Sequence, residues 1–355
     1  MTYGDVEGRP ELLVLDSTVP AQVRAFESKI DLEKTLCIVS SKSGTTSEPL
    51  AFYHYFFDRM EQVKGDRAGE NFIAITDPGS FLEHLADESR FRDVIHGDPS
   101  IGGRYSALSN FGVVPAALMG VEIEHFLYRA ERMRHSCDSC IPPEDNPGMV
   151  LGVLLGEMAK QGRDKLTFIT SPAVSGLGAW LEQLIAESTG KEGKGIIPID
   201  DEPLGDPDAY GSDRLFAYIR SSETPDTAQD AAVEMLQKAG HPVVRIEMTE
   251  LINLGEEFFR WEIATAVAGA VLGINAFDQP NVQESKDNTR RLLEVFRKEG
   301  QLPAQEVLVK EQGCQILGET ASKRETLVAI TRAHLARVGE GGYLALTAYL
   351  PETDR

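Results

Sequence analysis

The chain reads as an α/β protein with parallel sheets, and three observations predict it. Short apolar, β-branched runs alternate with segments of helical spacing, each run stops at Asp, Ser or Gly, and the alternation pauses once and then resumes. In chain order, "ELLVLDST" (11–18), "TLCIVSS" (35–41) and "NFIAITD" (71–77) are predicted strands, with helices "PAQVRAFESKI" (20–30) and "PLAFYHYFFDRMEQV" (49–63) between them. Within the second helix, Phe52, Tyr53, Tyr55, Phe56 and Phe57, with His54 among them, read as core packing. The stretch "HSCDSCIPPEDNPGM" (135–149) is rich in Pro, Cys and acids and has no periodicity. It marks a boundary, with a first unit over 1–137, a linker at 138–147 and a second unit over 148–295. The second unit repeats the pattern through "KLTFITS" (165–171), "GKGIIPID" (193–200), "RLFAYIRS" (214–221) and "PVVRIEM" (242–248). Residues 296–355 form a C-terminal α/β appendage, in which "ETLVAITRAHLARV" (325–338) predicts a helix and "GGYLALTAYL" (341–350) a strand.

Charge narrows the function. Against 35 basic residues stand 56 acidic ones, a net charge of −21 over 355 residues, which repels the phosphate backbone of a nucleic acid and excludes it as a main partner. A small anion is not excluded, because backbone N–H groups and one or two cations hold a phosphate whatever the global charge. The N-terminal segment lacks a basic stretch followed by an apolar core, and "ATAVAGAVLGINAF" (264–277) is too short to span a bilayer. A cytoplasmic chain without membrane attachment is expected. Cys137 and Cys140 form a lone C-x-x-C, for which a zinc site would also need His135 and a distant fourth ligand, so the pair reads as reduced thiols in a loop and no metal is expected.

One loop concentrates hydroxyls. In "SSKSGTTSE" (40–48), Ser40, Ser41, Ser43, Thr45, Thr46 and Ser47 surround Lys42 and Gly44 where a predicted strand gives way to a helix. In a parallel α/β sheet that is where ligands bind, and the first N–H groups of the helix have no partner within it. The segment reads as a phosphate cradle, with Ser41, Lys42, Ser43, Thr45 and Thr46 as candidate ligands and Gly44 letting the backbone turn closely. The plainer alternative is an N-cap supplied by Thr45, Thr46 or Ser47, which needs only one hydroxyl. The Walker spacing is absent.

Four segments in order carry a family resemblance: "SSKSGTTSE", "GGRYSALSNFG" (102–112), "EQLIAESTGKEGKG" (182–195) and "FDQPNVQESK" (277–286). Together they resemble phosphoglucose isomerase, and the wording of the last two is most similar to the isomerase half of bifunctional transaldolase/phosphoglucose isomerase chains. The resemblance runs from about residue 11 to 295 and implies two sugar-isomerase domains of three-layer α/β/α form. It places the phosphate-binding hydroxyls on Ser41, Ser43 and Thr46, the arginine near the reacting carbons on Arg104, the proton-transferring glutamate on Glu187, and the late glutamine and lysine on Gln279 and Lys286. It further implies a hexose 6-phosphate substrate, no cofactor, a homodimer and, in a longer protein, fusion to transaldolase.

The chemistry asks for the same residue types. Aldose–ketose isomerisation moves a proton between neighbouring carbons, so one carboxylate must reach both and a cation must stabilise the enediolate. Glu187 and Arg104 fit these roles, while a remote phosphate clamp holds the carbons in register. Taken without the motif, Glu187 is an ordinary exposed glutamate of a helix, and Lys286 is equally a solvated charge at a helix start. The glycines before Arg104, including Gly103, indicate a backbone that approaches something closely.

Two departures qualify the resemblance. The family's G-G-S-S type strand and loop has no counterpart, so a first strand and part of the phosphate site are expected to lie outside this chain. The stretch matching the family's ring-opening histidine, "AYGSDRLFAYIR" (209–220), has Arg214 and no histidine, and His241 reads as a turn residue entering a strand. Lys286 or a histidine from outside the chain remain open for that step. A non-catalytic sugar-phosphate-binding regulatory module and an inactive fragment of a bifunctional transaldolase/isomerase stay as alternatives to the isomerase.

Overall fold

The computed structural model describes Tyr3 and residues 6–318, 326–339 and 342–350. The chain divides into two units, Met1–Asp278 and Gln279–Arg355.

The first unit holds two parallel sheets. Its elements run α1 (Pro20–Glu27), β1 (Cys37–Ser40), α2 (Ser47–Lys64), β2 (Phe72–Thr76), α3 (Phe81–Glu88), β3 (Asp93–His96), α4 (Asn110–Leu118) and α5 (Ile123–Ser136). There follow α6 (Pro147–Lys160), β4 (Lys165–Thr170), α7 (Gly176–Thr189), β5 (Ile197–Ile199), β6 (Arg214–Ser221), α8 (Thr227–Lys238), β7 (Val243–Met248) and α9 (Leu254–Leu272). The sheet orders are β1-β2-β3 and β5-β4-β6-β7, every pairing parallel, which is the α/β class the alternating runs predict.

Burial on alternate residues explains the layering. In β4 and β6, Leu166, Phe168, Leu215, Ala217 and Ile219 face one core with Leu151 and Leu155 of α6, Leu181 of α7 and Trp261 of α9. The intervening Ile169, Phe216 and Tyr218 face Val233 and Leu236 of α8 on the other side. Helices cover both faces, as a parallel sheet requires. The first sheet packs Val39, Phe72 and Ala74 against Tyr53, Phe56 and Met60 of α2 and Leu82 and Ala86 of α3, with Tyr55 and Phe57 against the same core, whereas Phe52 is half-buried outside it and His54 is exposed. Pro198 is tolerated in β5 because β5 is an edge strand. On α6, Gly148, Gly152 and Gly156 recur every fourth residue against α9, where a methyl on Gly152 would strike Val267 and the Ala264 carbonyl. That close approach seats α9, whose C-terminal end borders the site below.

Two predicted strands are not present. Residues 10–19 form neither helix nor strand: β1 pairs only with β2, and without a ladder partner the segment contributes Leu15 to the core and nothing to a sheet. Residues 342–350 are likewise without regular structure and exposed, while Gly341 and Glu325 lie outside the described residues.

The second unit contains α10 (Pro280–Glu299), the antiparallel pair β8 (Val307–Glu311) and β9 (Cys314–Leu317), and α11 (Leu327–Leu335) inside the predicted helix. The turn between β8 and β9 is Gln312 and Gly313, both at positive φ (50° and 81°), the geometry of a tight two-residue hairpin. Cys137 is half-buried and Cys140 exposed, both as free thiols, and the described residues contain no group of three or more His, Cys, Asp or Glu placed to hold a metal. No helix among the described residues is long and apolar enough to cross a membrane.

Candidate active site

The hydroxyl loop is tied to the end of β2 before it turns into α2. Ser41 N donates to Ile75 O (3.0 Å), Asp77 N donates to Lys42 O (3.1 Å), and the buried Thr76 hydroxyl donates to Ser41 O (2.7 Å). Gly44 then turns the chain at φ +67°, with Leu82 packed so closely that a methyl there would strike its backbone nitrogen. The hydroxyls bond among themselves, Ser41 to Thr46 at 3.4 Å and Ser43 to Thr45 at 3.0 Å. Thr46 is the N-cap of the 18-residue α2, yet its side chain makes no capping bond. The loop thus places exposed hydroxyls of Ser43 and Thr45 beside a helix start that the Thr46 side chain does not cap, an arrangement suited to an anion.

Lys42 reaches across to the loop after β3. Its Nζ donates to Asp77 Oδ1 and to Asp98 O, both at 2.8 Å, and lies 5.3 Å from the Phe111 ring centre. That loop continues through Gly102 and Gly103, both exposed and, contrary to the close approach expected there, with room for a methyl group at each, to Arg104, which is buried at 4% exposure.

Every nitrogen of the Arg104 guanidinium is directed. Nε donates to Ser188 Oγ (2.7 Å), Nη1 to Glu187 Oε1 (3.2 Å), and Nη2 to Ala276 O (2.7 Å) and Asp278 O (3.0 Å). Trp180 Nε1 holds the Arg104 carbonyl at 3.2 Å, and the Tyr105 hydroxyl lies 3.0 Å from Ser188 Oγ. Glu187 sits in the last turn of α7, its other oxygen 3.5 Å from Gln183 Nε2, with the side chain 22% exposed. A carboxylate only accepts and a guanidinium only donates, so the pair sets a proton acceptor beside a fixed positive charge. Arginines held this way need no reorganisation when negative charge develops nearby.

A family model described as phosphoglucose isomerase matches residues 7–196, the stretch that carries the hydroxyl loop, Arg104 and Glu187. The chain belongs to the phosphoglucose isomerase family. It is 29% identical over 293 residues to a glucose-6-phosphate isomerase of Parabacteroides distasonis, covering 71% of this chain and 65% of that one. To the glucose-6-phosphate isomerase of Rubrobacter xylanophilus it is 29% identical over 324 residues, covering 79% and 73%. Among solved structures it is similar to a glucose-6-phosphate isomerase from Chlamydia trachomatis, with a TM-score of 0.63, 25% identity and coverage of 79% and 63%. A hypothetical protein from Thermus thermophilus shares the fold at a TM-score of 0.68 and 24% identity. The chain therefore spans about two thirds of the length of these isomerase relatives, 65% for the first of them.

Of the residues that the phosphoglucose isomerase resemblance singles out, Arg104 and Glu187 meet directly, and Ser41, Ser43 and Thr46 share one loop with Lys42 and Thr45, the further candidates of the cradle reading. Gln279 and Lys286 belong to the other unit, at the N-cap and within α10, and both are exposed. Arg214 opens β6 and pairs with Glu202 (2.6 Å) and the Thr167 hydroxyl (2.6 Å). His241 lies in the turn before β7 with Nε2 3.0 Å from Pro207 O. Sequence reasoning did not single out Ser188, Tyr105 and Lys191, although each lies inside a quoted motif. Ser188 is fully buried, and a buried serine next to a candidate base is the signal that spacing alone does not give.

Proposed function

We propose that this chain carries out the interconversion of glucose 6-phosphate and fructose 6-phosphate, with Glu187 as the base. The observation that carries the reading is the Arg104–Glu187 pair, a cation fixed at 3.2 Å from a carboxylate on a partly open helix end. In this reading Glu187 removes the proton from the carbon next to the carbonyl and returns it to its neighbour. Arg104 stabilises the enediolate charge that develops between the two steps. The hydroxyls of Ser41, Ser43 and Thr46 and the start of α2 take the phosphate, and binding energy gathered there holds the carbons in register. Lys42, engaged with Asp77 and Asp98, links that loop to the segment bearing Gly103 and Arg104. Gln279 and Lys286 enter as substrate contacts on the family resemblance. The same resemblance supports a homodimer and kinship with transaldolase-fused isomerases as parts of the proposal, and the N-terminal sequence supports a cytoplasmic setting.

The test is a coupled assay of fructose 6-phosphate conversion to glucose 6-phosphate by the 355-residue chain. Turnover that saturates with substrate supports the reading. A chain that hexose 6-phosphate protects against thermal unfolding but that turns nothing over would contradict it and leave the two alternatives, a binding module or an inactive fragment of a longer isomerase.

A further inference from the structure

Residues after α9 form a short segment whose carbonyls are held by side chains. α9 ends at Leu272, Gly273 takes the left-handed conformation (φ 70°), and 274–278 run on without helix or strand. Backbone oxygens in such a segment need donors from elsewhere. Here the donors are mostly cations. Lys194 Nζ donates to Leu272 O at 2.9 Å; Lys191 Nζ donates to Asn275 O and Asp278 O, both at 2.7 Å, and to Asp278 Oδ1 at 2.5 Å. Arg104 Nη2 and the Tyr105 hydroxyl take Ala276 O at 2.7 and 3.2 Å.

We infer that Lys191 is a positioning residue: by locking residues 275–278 it fixes the acceptors of Arg104 and so aims the guanidinium at Glu187. The inference rests on the isomerase reading for its kinetic consequence and deepens it. Asp278 O is the shared point, receiving Lys191 at 2.7 Å and Arg104 at 3.0 Å. One stretch of five residues then governs all three nitrogens of the guanidinium. Glu187 takes Nη1 and Ser188 takes Nε directly, while Lys191 holds the segment that takes Nη2. Stability alone does not explain the lysine. Its side chain is 4% exposed while that of its carboxylate partner Asp278 is 51% exposed, and burying an ammonium sacrifices hydration that an apolar side chain of similar length would not.

The experiment compares the full chain with Lys191→Met and, as a milder change that keeps a shorter donor, Lys191→Gln. Amide hydrogen exchange is followed over 102–106 and 274–278, and kcat and KM are measured for fructose 6-phosphate. Val233→Ala, on the buried face of α8, serves as a general destabilisation control. The expected result is exchange raised about tenfold or more in both segments, with kcat lowered about 10- to 100-fold and KM within about threefold, as for a misaimed catalytic group. The control shows neither change. A folded Lys191 variant with unchanged exchange over 102–106, or with wild-type kcat, overturns the inference. A wild-type chain without turnover removes the isomerase reading instead, and exchange at 102–106 then decides the positioning role alone.

Discussion

Arg104 Nη1 lies 3.2 Å from Glu187 Oε1, a contact that bridges 83 residues of sequence and joins the loop after β3 to the last turn of α7. The guanidinium is sealed, at 2% side-chain exposure, and the carboxylate is not, at 22%. The cation is therefore held by protein on its far side, and the acceptor keeps an open flank.

Glu187→Gln preserves the shape of that flank and removes its capacity to accept a proton. The expected kcat falls about 10³-fold, within the range that general base catalysis supplies. Thermal protection by hexose 6-phosphate stays within a degree or two of wild type. Matched losses of protection and turnover would place Glu187 in binding instead.

Arg104→Lys keeps the charge but gives up the planar fork that serves Ser188, Glu187 and the 276–278 carbonyls at once. We expect kcat to drop about 10²-fold and the chain to lose about 3 kcal/mol, because buried acceptors go unserved. Steady-state kinetics and urea unfolding read the two losses.

Gly44→Ala separates fold from ligand in the hydroxyl loop. Its φ of +67° and the packed Leu82 backbone leave no room for a methyl, so a loss of about 1–3 kcal/mol accompanies a raised KM. Ser43→Ala, at an exposed hydroxyl, changes stability by less than about 0.5 kcal/mol while KM still rises. Equal KM for Ser43→Ala and wild type would remove Ser43 from the phosphate site.

Burial lifts the Glu262 carboxyl from the ordinary 4.5 to about 8, and its Oε1 has no hydrogen-bond partner among the described residues. The folded chain keeps a proton there that the unfolded chain releases. The stabilising contribution is present at pH 4.5 and below and is lost as pH climbs from 4.5 to about 8. Glu262→Gln abolishes that loss, so its stability relative to wild type should rise by about 1 kcal/mol or more between pH 5 and pH 8.5. A pH-independent difference in urea unfolding would contradict the assignment.

Much of this architecture is legible in the residues. β-branched runs such as "KLTFIT" and "RLFAYIRS" specify fully buried parallel strands because both of their faces are apolar, and the structure pairs them in register. "ELLVLDST" has the same composition and is not a strand, since composition shows what a segment can bury and not whether a neighbour offers a ladder. The hairpin at Gln312–Gly313 is not legible in the sequence because its strands are short and its polar tip hides a two-residue turn. At the site, motif wording reaches Arg104 and Glu187, but Ser188 and Lys191 acquire significance only from hydrogen bonds spanning 84 to 87 residues.

The most direct measurement is proton incorporation. Fructose 6-phosphate is incubated with the chain in deuterium oxide, and the hydrogen at C2 of the glucose 6-phosphate formed is read by NMR, beside Glu187→Gln. Proton transfer through Glu187 predicts deuterium at C2 with the wild-type chain and none above background with the variant. Undiminished incorporation by Glu187→Gln would show that another group moves the proton.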